Sequence, residues 1–457
     1  MRHRFGDATA SGRICGQPRG ISSSRPPAVD AAAAAVRVVD VSEMLSVAEA
    51  ALLARDQAAQ PWKQAFVCLL DRPVSRDHLA DRIAERIGYA PRFRRKVDGW
   101  PLPGWTDDPG YLVLGHVREA ALAAGETLQQ WLAARLATPF DHAHPLWEAW
   151  LVQGAAGSLP ALVVFSHPAL VDGYDNVHLL QELFDEHPVP IAPAQPGWQP
   201  AAEEPGWGGL LARLGNPLQA ARDVGAGLTG MVENAVRGVA AAPRTHHVAG
   251  VEVELDTLRS VRERYGCTTH DVLVAVVTAG VRGWLIDAGG VLEDQVALVP
   301  LAITEADALG SAVGARVAPQ WIVLPITEPS PVARLQAIAT LTQARADTGL
   351  SVPVSDLRDL AGFAPPTLHS LAAGTVAAGR PHSVWIGNAP GPAERRYLGQ
   401  AGVSGFYSLL ATTDEQRCTV SINSYRHRVT IGVTAVAPVR QFARDVSNEL
   451  GALRGGQ

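Results

Sequence analysis

The chain has 457 residues, about three times the length of a typical domain, which excludes a single small module and predicts two large domains or three ordinary ones. Hydrophobic residues make up 47% and charged residues 18%, too apolar a balance for a disordered chain. With 39 basic against 45 acidic residues and a formal net charge of −6, it lacks the positive excess that grips a phosphate backbone, so nucleic acid is not an expected partner.

Residues 1–43 are polar, Pro-interrupted and then Ala-rich; they cannot bury a core and are expected to be a disordered extension, with Met44 as an alternative start. From Met44, MLSVAEAALLARDQ has helical spacing, AFVCLL at 65–70 reads as a strand, and helices follow at 77–88 and from 126. The strands EAWLVQG and ALVVF complete a first domain over 44–190. Residues 191–245 carry several prolines and read as a linker. Apolar positions between 210 and 236 keep nearly helical spacing there, predicting an amphipathic helix packed on the body; its polar face is not basic enough to favour a membrane surface. The second domain, 246–457, reads as strand and helix through VAGVEVELDTLRSVRERYG, a long buried helix at TTHDVLVAVVTAGVRGWL and a strand at VALVPLAIT. A helix at VARLQAIATLTQARA, two antiparallel strands in CTVSINSYRHRVTIGVTAV and a closing helix complete it. Both halves are mixed α/β without a regular βαβ alternation.

Cys15, Cys68, Cys267 and Cys418 lie far apart with no CxxC pair, which fits a reducing, cytoplasmic setting. No apolar run reaches the ~18 residues of a membrane span, and the N-terminal segment lacks the apolar core of a secretory signal.

Among short motifs, Gly225–Gly230 fits GxGxxG but follows a helical pattern instead of a strand, so the phosphate-cradling context is missing. Gly402 to Gly405 has the wrong spacing for a nucleophile elbow. His142 with His144, and His246 with His247, lack the further ligands that would complete a metal set; they read as solvated loop histidines, and no metal is expected. More informative is ALVVFSHPALVDGYDN, where a buried strand is followed by His167, then by Asp172 and Gly173. A histidine just past a strand end can be held where its neutral imidazole takes a proton from a hydroxyl.

Residues 141–173, DHAHPLWEAWLVQGAAGSLPALVVFSHPALVDG, closely resemble the bacterial wax ester synthase/acyl-CoA:diacylglycerol acyltransferase family, with its PLW segment (Pro145, Leu146, Trp147) and HHxxxDG motif. GCTTHDVLVAV, containing His270 and Asp271, is similar to the family's ND helix start, and GNAPGPAERRYLGQAGV, with Asn388, Pro390, Gly391 and Pro392, to its NVPGP loop. The likeness runs from about Met44 to Arg454. It implies the two-domain chloramphenicol acetyltransferase-like fold of CoA-dependent acyltransferases, with a tunnel between the halves. It further implies acyl-CoA as co-substrate with no permanently bound cofactor, and a diacylglycerol or long-chain alcohol acceptor. A cytoplasmic location peripheral to the inner face of the membrane or to lipid droplets follows from it, with 205–238 as a contact segment.

In the family the second motif histidine is taken as general base; here that position is Pro168, and His167 matches the first histidine. Proline has no titratable group and no N–H. His270 stands where the family has Asn, and Ala302 and Thr304 where it has Ser and Arg; Ala315 and Val436 depart as well. Three readings follow: an active O-acyltransferase with His167, or the candidate tunnel residue His270, as base; an inactive member that binds acyl-CoA or lipid; and a partner of an active paralogue. Asp172, Gly173, Asp271 and the PLW and NAPGP residues are expected to be architectural.

Overall fold

The computed structural model describes residues 43–45, 49, 52–53, 56, 60–87, 91–98, 104–154, 159–170, 183–189, 244–302, 317–347, 383–389, 391–412 and 417–455. The first half forms β1 (Glu43–Met44), β2 (Gln64–Leu70), α1 (Arg76–Arg86), β3 (Arg95–Asp98), β4 (Gly104–Asp107), α2 (Val113–His116), β5 (Val117–Ala121), α3 (Leu128–Leu136), β6 (Trp147–Gln153) and β7 (Ala161–Ser166). After residue 244 come β8 (His247–Glu254), α4 (Leu255–Tyr265), α5 (Thr269–Asp287), β9 (Gln295–Ala302), β10 (Val317–Leu324), α6 (Pro331–Asp347) and β11 (Val384–Ala389). The chain then runs through β12 (Tyr397–Leu398), β13 (Ala401–Leu410), β14 (Cys418–Tyr425), β15 (Arg428–Ala435) and α7 (Phe442–Gly455).

Two six-stranded sheets carry the molecule, ordered β12-β13-β2-β7-β6-β5 and β10-β9-β11-β14-β15-β8, beside a small β1-β4-β3 sheet. In the first sheet β2, β7 and β13 are buried along nearly their whole length, so both faces are covered and the sequence shows apolar runs instead of alternation. The second sheet packs its apolar side under α5, whose Thr268/Asp271 capping box satisfies first-turn N–H groups. By length and hydropathy α5 would suffice to cross a membrane, yet 72% of that stretch is buried within the fold, as befits a core helix. A side chain at Gly280 would meet the Phe442 ring at 2.7 Å and one at Gly283 the Asp445 carboxylate at 1.7 Å, so these glycines let α7 pack closely on α5. Arg334 of α6 and Glu449 of α7 form a buried two-bond ion pair at 2.9 and 2.8 Å.

Three findings refine the sequence expectations. Glu43, placed in the extension, pairs with Trp105 of β4; residues 1–42 lie outside the described residues. The expected helix after Met44 is seen at Glu49, Leu52 and Leu53, while nearly all of the 191–245 linker, with its amphipathic helix, again lies outside. The third concerns the domain boundary: β12 and β13 come from the segment assigned to the second domain but belong to the first sheet, β13 pairing with β2 from Val403↔Leu70 to Leu410↔Gln64. Ser408 of β13 donates from both N and Oγ to Asn423 Oδ1 of β14, at 2.8 and 2.9 Å, and Tyr425 Oη donates to Val403 O at 3.1 Å. The strand thus ties both sheets together, and the described residues all fall in one compact unit, Val38–Gln457. Its small residues and fully buried faces hide the alternation that would mark a strand in the sequence.

Candidate active site

β7 lies between β2 and β6, and its last residue, Ser166, is level with Gln64 and Trp147. The chain then turns: His167 O accepts the Leu170 N–H at 2.9 Å, which puts Pro168 second in a four-residue turn, where its fixed φ is suited. The His167 N–H is held by Leu146 O at 2.9 Å, so the PLW segment braces this loop. Trp147 is fixed in turn by an Nε1–H bond to Phe93 O at 2.7 Å and by stacking on His116 at 4.6 Å. Pro145, Leu146 and Trp147 are all buried, in keeping with a packing role.

The His167 side chain is 0% exposed. Its Nδ1 accepts the Ala169 N–H at 3.0 Å, so the ring proton of the neutral imidazole lies on Nε2. Nε2 has no hydrogen-bond partner among the described residues, but it sits 3.8 Å from Asp56 Oδ2. Burial pushes the His167 pKa down to about 4. Asp56 is itself buried and accepts the Trp62 N–H at Oδ1, 2.7 Å, while its Oδ2 lies 2.9 Å from His142 Nε2. Burial raises the Asp56 pKa, but the bonds from His142 and Trp62 and the charge near His167 outweigh it and leave it below the ordinary value. The Asp56 bond favours the protonated form of His142 and so raises its pKa. Beside them Lys63 is buried, donating to Glu148 Oε1 at 3.0 Å, with Nζ 3.8 Å from the centre of the Phe140 ring.

The structure therefore gathers His167, Asp56, His142, Lys63 and Glu148 at one end of the first sheet. Asp56 and Lys63 carry no sequence signal for this role. His142 is a half-exposed loop histidine, as expected; its pairing with the buried Asp56 carboxylate is what the sequence does not show. His144 is likewise held, by Asp108 at 3.2 Å. His246, also read as solvated, is only 4% exposed, and its Nε2 accepts the Thr412 N–H at 3.3 Å.

The remaining candidates lie elsewhere. Asp271 accepts Thr268 N–H at Oδ2, 2.9 Å, and the Thr342 hydroxyl at Oδ1, 2.6 Å, fastening α5 to α6. His270 stands in the first turn of α5, its Nε2 buried without a hydrogen-bond partner among the described residues. Asn388, expected in a loop, is part of β11 and pairs with Ile422. Gly391 donates to Ser424 Oγ at 3.2 Å, and Pro392 O accepts the Arg426 N–H at 3.0 Å, which ties this loop to the end of β14 and the turn after it. Asp172, Gly173 and Pro390 lie outside the described residues.

A cavity of about 710 Å³ opens between α3 and the start of β8. Arg244, His246, His247 and Arg440 line it, and among the described residues no carboxylate does. Arg244 donates to Gln60 at 3.0 Å and Ala411 N–H to Lys63 O at 2.7 Å, so its wall borders the segment that carries Asp56 and Lys63.

In fold, the chain is similar to the wax ester synthase/diacylglycerol acyltransferase of Marinobacter aquaeolei, with a TM-score of 0.61 and 21% identity over 90% of this chain and 99% of that one. It is also similar to a trichothecene 15-O-acetyltransferase of Fusarium sporotrichioides, with a TM-score of 0.54 and 11% identity over 90% and 94% of the two chains. These likenesses define the class: the two-domain, chloramphenicol acetyltransferase-like acyltransferase fold. Residues 30–273 match the wax ester synthase/diacylglycerol acyltransferase catalytic domain and residues 313–454 the C-terminal domain of the same family. The chain belongs to that family. A Mycobacterium bovis protein named as a diacylglycerol O-acyltransferase is 27% identical over 90% of both chains. A Mycobacterium tuberculosis protein so named is 29% identical over 49% of this chain and 96% of its own.

Proposed function

We propose that this chain transfers an acyl group from acyl-CoA to a lipid hydroxyl, converting diacylglycerol to triacylglycerol or a long-chain alcohol to a wax ester. The carrying observation is the pair of family matches across both halves. Acyl-CoA acts as co-substrate and is not retained. Its phosphates suit the cavity beside α3, where two arginines and two histidines converge without a carboxylate. Because acceptor and product are lipids, we assign the protein a peripheral position at the cytoplasmic face of the membrane or at lipid droplets.

Pro168 favours a second reading, in which the chain binds acyl-CoA or lipid without turnover, or partners an active paralogue: the base position is proline, and His167 is committed to its own loop. Purified protein incubated with palmitoyl-CoA and either dioleoylglycerol or hexadecanol separates the two. The first reading expects neutral lipid product with release of CoA. Wild type without product, together with Pro168→His that makes it, would establish the second.

A further inference from the structure

The acyl-transfer reading needs a group to accept the hydroxyl proton, and the described residues of the loop after β7, His167 to Leu170, offer none in a suitable state. Pro168 has no titratable atom. In His167 the Nδ1 lone pair already receives the Ala169 N–H, Nε2 carries the ring proton, and the side chain is cut off from solvent. Accepting a proton would require breaking the loop bond and placing charge in a buried site.

His142 differs on each point. A carboxylate can only accept, so at 2.9 Å from Asp56 Oδ2 the His142 Nε2 is the donor and Nδ1 presents the lone pair. The His142 side chain is 50% exposed and reachable, whereas the Asp56 side chain is 3% exposed and pinned by the Trp62 N–H. A buried carboxylate orienting a reachable imidazole is the arrangement that general-base catalysis uses to fix the tautomer and stabilise the imidazolium. The His167 Nε2–H lies 3.8 Å from the same Asp56 oxygen and favours the ionised carboxylate electrostatically.

We propose that His142, oriented by Asp56, is the general base for the acceptor hydroxyl, and that His167 is a positioning residue acting through Asp56. The proposal rests on the acyl-transfer reading. The hydroxyl proton moves to His142 Nδ1 as the hydroxyl oxygen bonds to the thioester carbonyl carbon; the C–S bond then breaks, and the departing CoA thiolate takes the proton back from Nδ1. Ester and free CoA are the products, and no further reactant is needed. The titratable and charged neighbours are Asp56 and Asp141 facing His142, and Lys63 and neutral His167 facing Asp56, with Glu148 and Arg135 beyond Lys63. The Asp56 bond raises the His142 pKa above 6.5, so the rate falls on the acid side along a limb above that value.

The test is steady-state transfer from palmitoyl-CoA to the better lipid acceptor across about pH 5–9, the usual range for a histidine limb, with acyl-CoA binding and thermal melting followed on the same samples. His142→Gln, which keeps a donor to Asp56 but no base, is expected to lose about 10²–10⁴-fold in kcat while binding acyl-CoA as wild type does. Asp56→Asn is expected to lower kcat and move the acid limb to lower pH. A His142→Gln variant within threefold of wild type in kcat would overturn the proposal. So would a wild-type rate that stays flat across the acid range, a readout that needs no variant to fold. Wild type that binds acyl-CoA but transfers nothing at any pH would sink the acyl-transfer reading with it, whereas active wild type with active His142→Gln removes His142 alone.

Discussion

Pro168 and His167 divide one short turn between steric and polar work. Proline presets the bend and His167 Nδ1 ties off the Ala169 N–H, so what stands in a catalytic loop by resemblance is here a braced structural turn. The active-site question at this scale is then which side chains retain freedom to act, and Arg440 at the rim of the cavity is one. Removing a charge-assisted contact to a phosphate typically costs about 1.5–3 kcal/mol, so Arg440→Ala should raise KM for acyl-CoA by about ten- to hundredfold with kcat unchanged. Initial rates at varied acyl-CoA check it, and a KM within twofold of wild type would remove the phosphates from this cavity. The site was legible only in part. His167 and the PLW segment stand out because they flank an apolar strand, but Asp56, 111 positions before His167, meets it only through the fold. No local pattern encodes that contact.

The elements differ in how openly the sequence declares them. α5 is plain from its Thr-Thr-His-Asp start and long apolar run, and β14 and β15 from the turn between two β-branched stretches. β13 is hidden, because buried faces on both sides leave no period of two and its function is to join sheets from different halves. Asp271 shows how a residue marked by motif resemblance is decided by its element: it caps α5 and bonds Thr342 of α6 from a buried position. Asp271→Ala leaves the Thr268 N–H without its acceptor and cuts the bond to Thr342, whose hydroxyl falls back on Ala339 O, and should cost about 1–2 kcal/mol in urea unfolding, with kcat per folded molecule unchanged. A drop in kcat at unchanged stability would place Asp271 in the chemistry instead.

Over the whole molecule the buried histidines set the acid response. Burial pushes His167 and His246 down to about 4 from the ordinary 6.5. Between those values the unfolded chain binds protons that the folded one refuses, so stability is full above about pH 6.5 and falls as pH drops toward 4, by up to roughly 3 kcal/mol for each group. His142 acts in the opposite sense: with a raised folded-state value, its contribution is full below 6.5 and declines as pH rises through that value. Asp56, with a lowered value, matters only as pH falls below its ordinary 3.8. Urea midpoints at about pH 7, 5.5 and 4.5, spanning the histidine range, should therefore fall steadily; a flat series would show that these rings are not buried neutral.

By itself the sequence determined the class of protein, since apolar periodicity, caps and the PLW and HPALVDG segments are local patterns set by neighbouring residues. It also set the loss of the expected base, because Pro168 is a matter of chemistry at one position. Only the tertiary structure decided that β13 crosses into the first sheet, that His246 is buried, and that His142 and His167 share the Asp56 carboxylate. Each of these depends on strands distant in sequence pairing across the sheet, and burial and electrostatic coupling exist only once that pairing has brought the groups together.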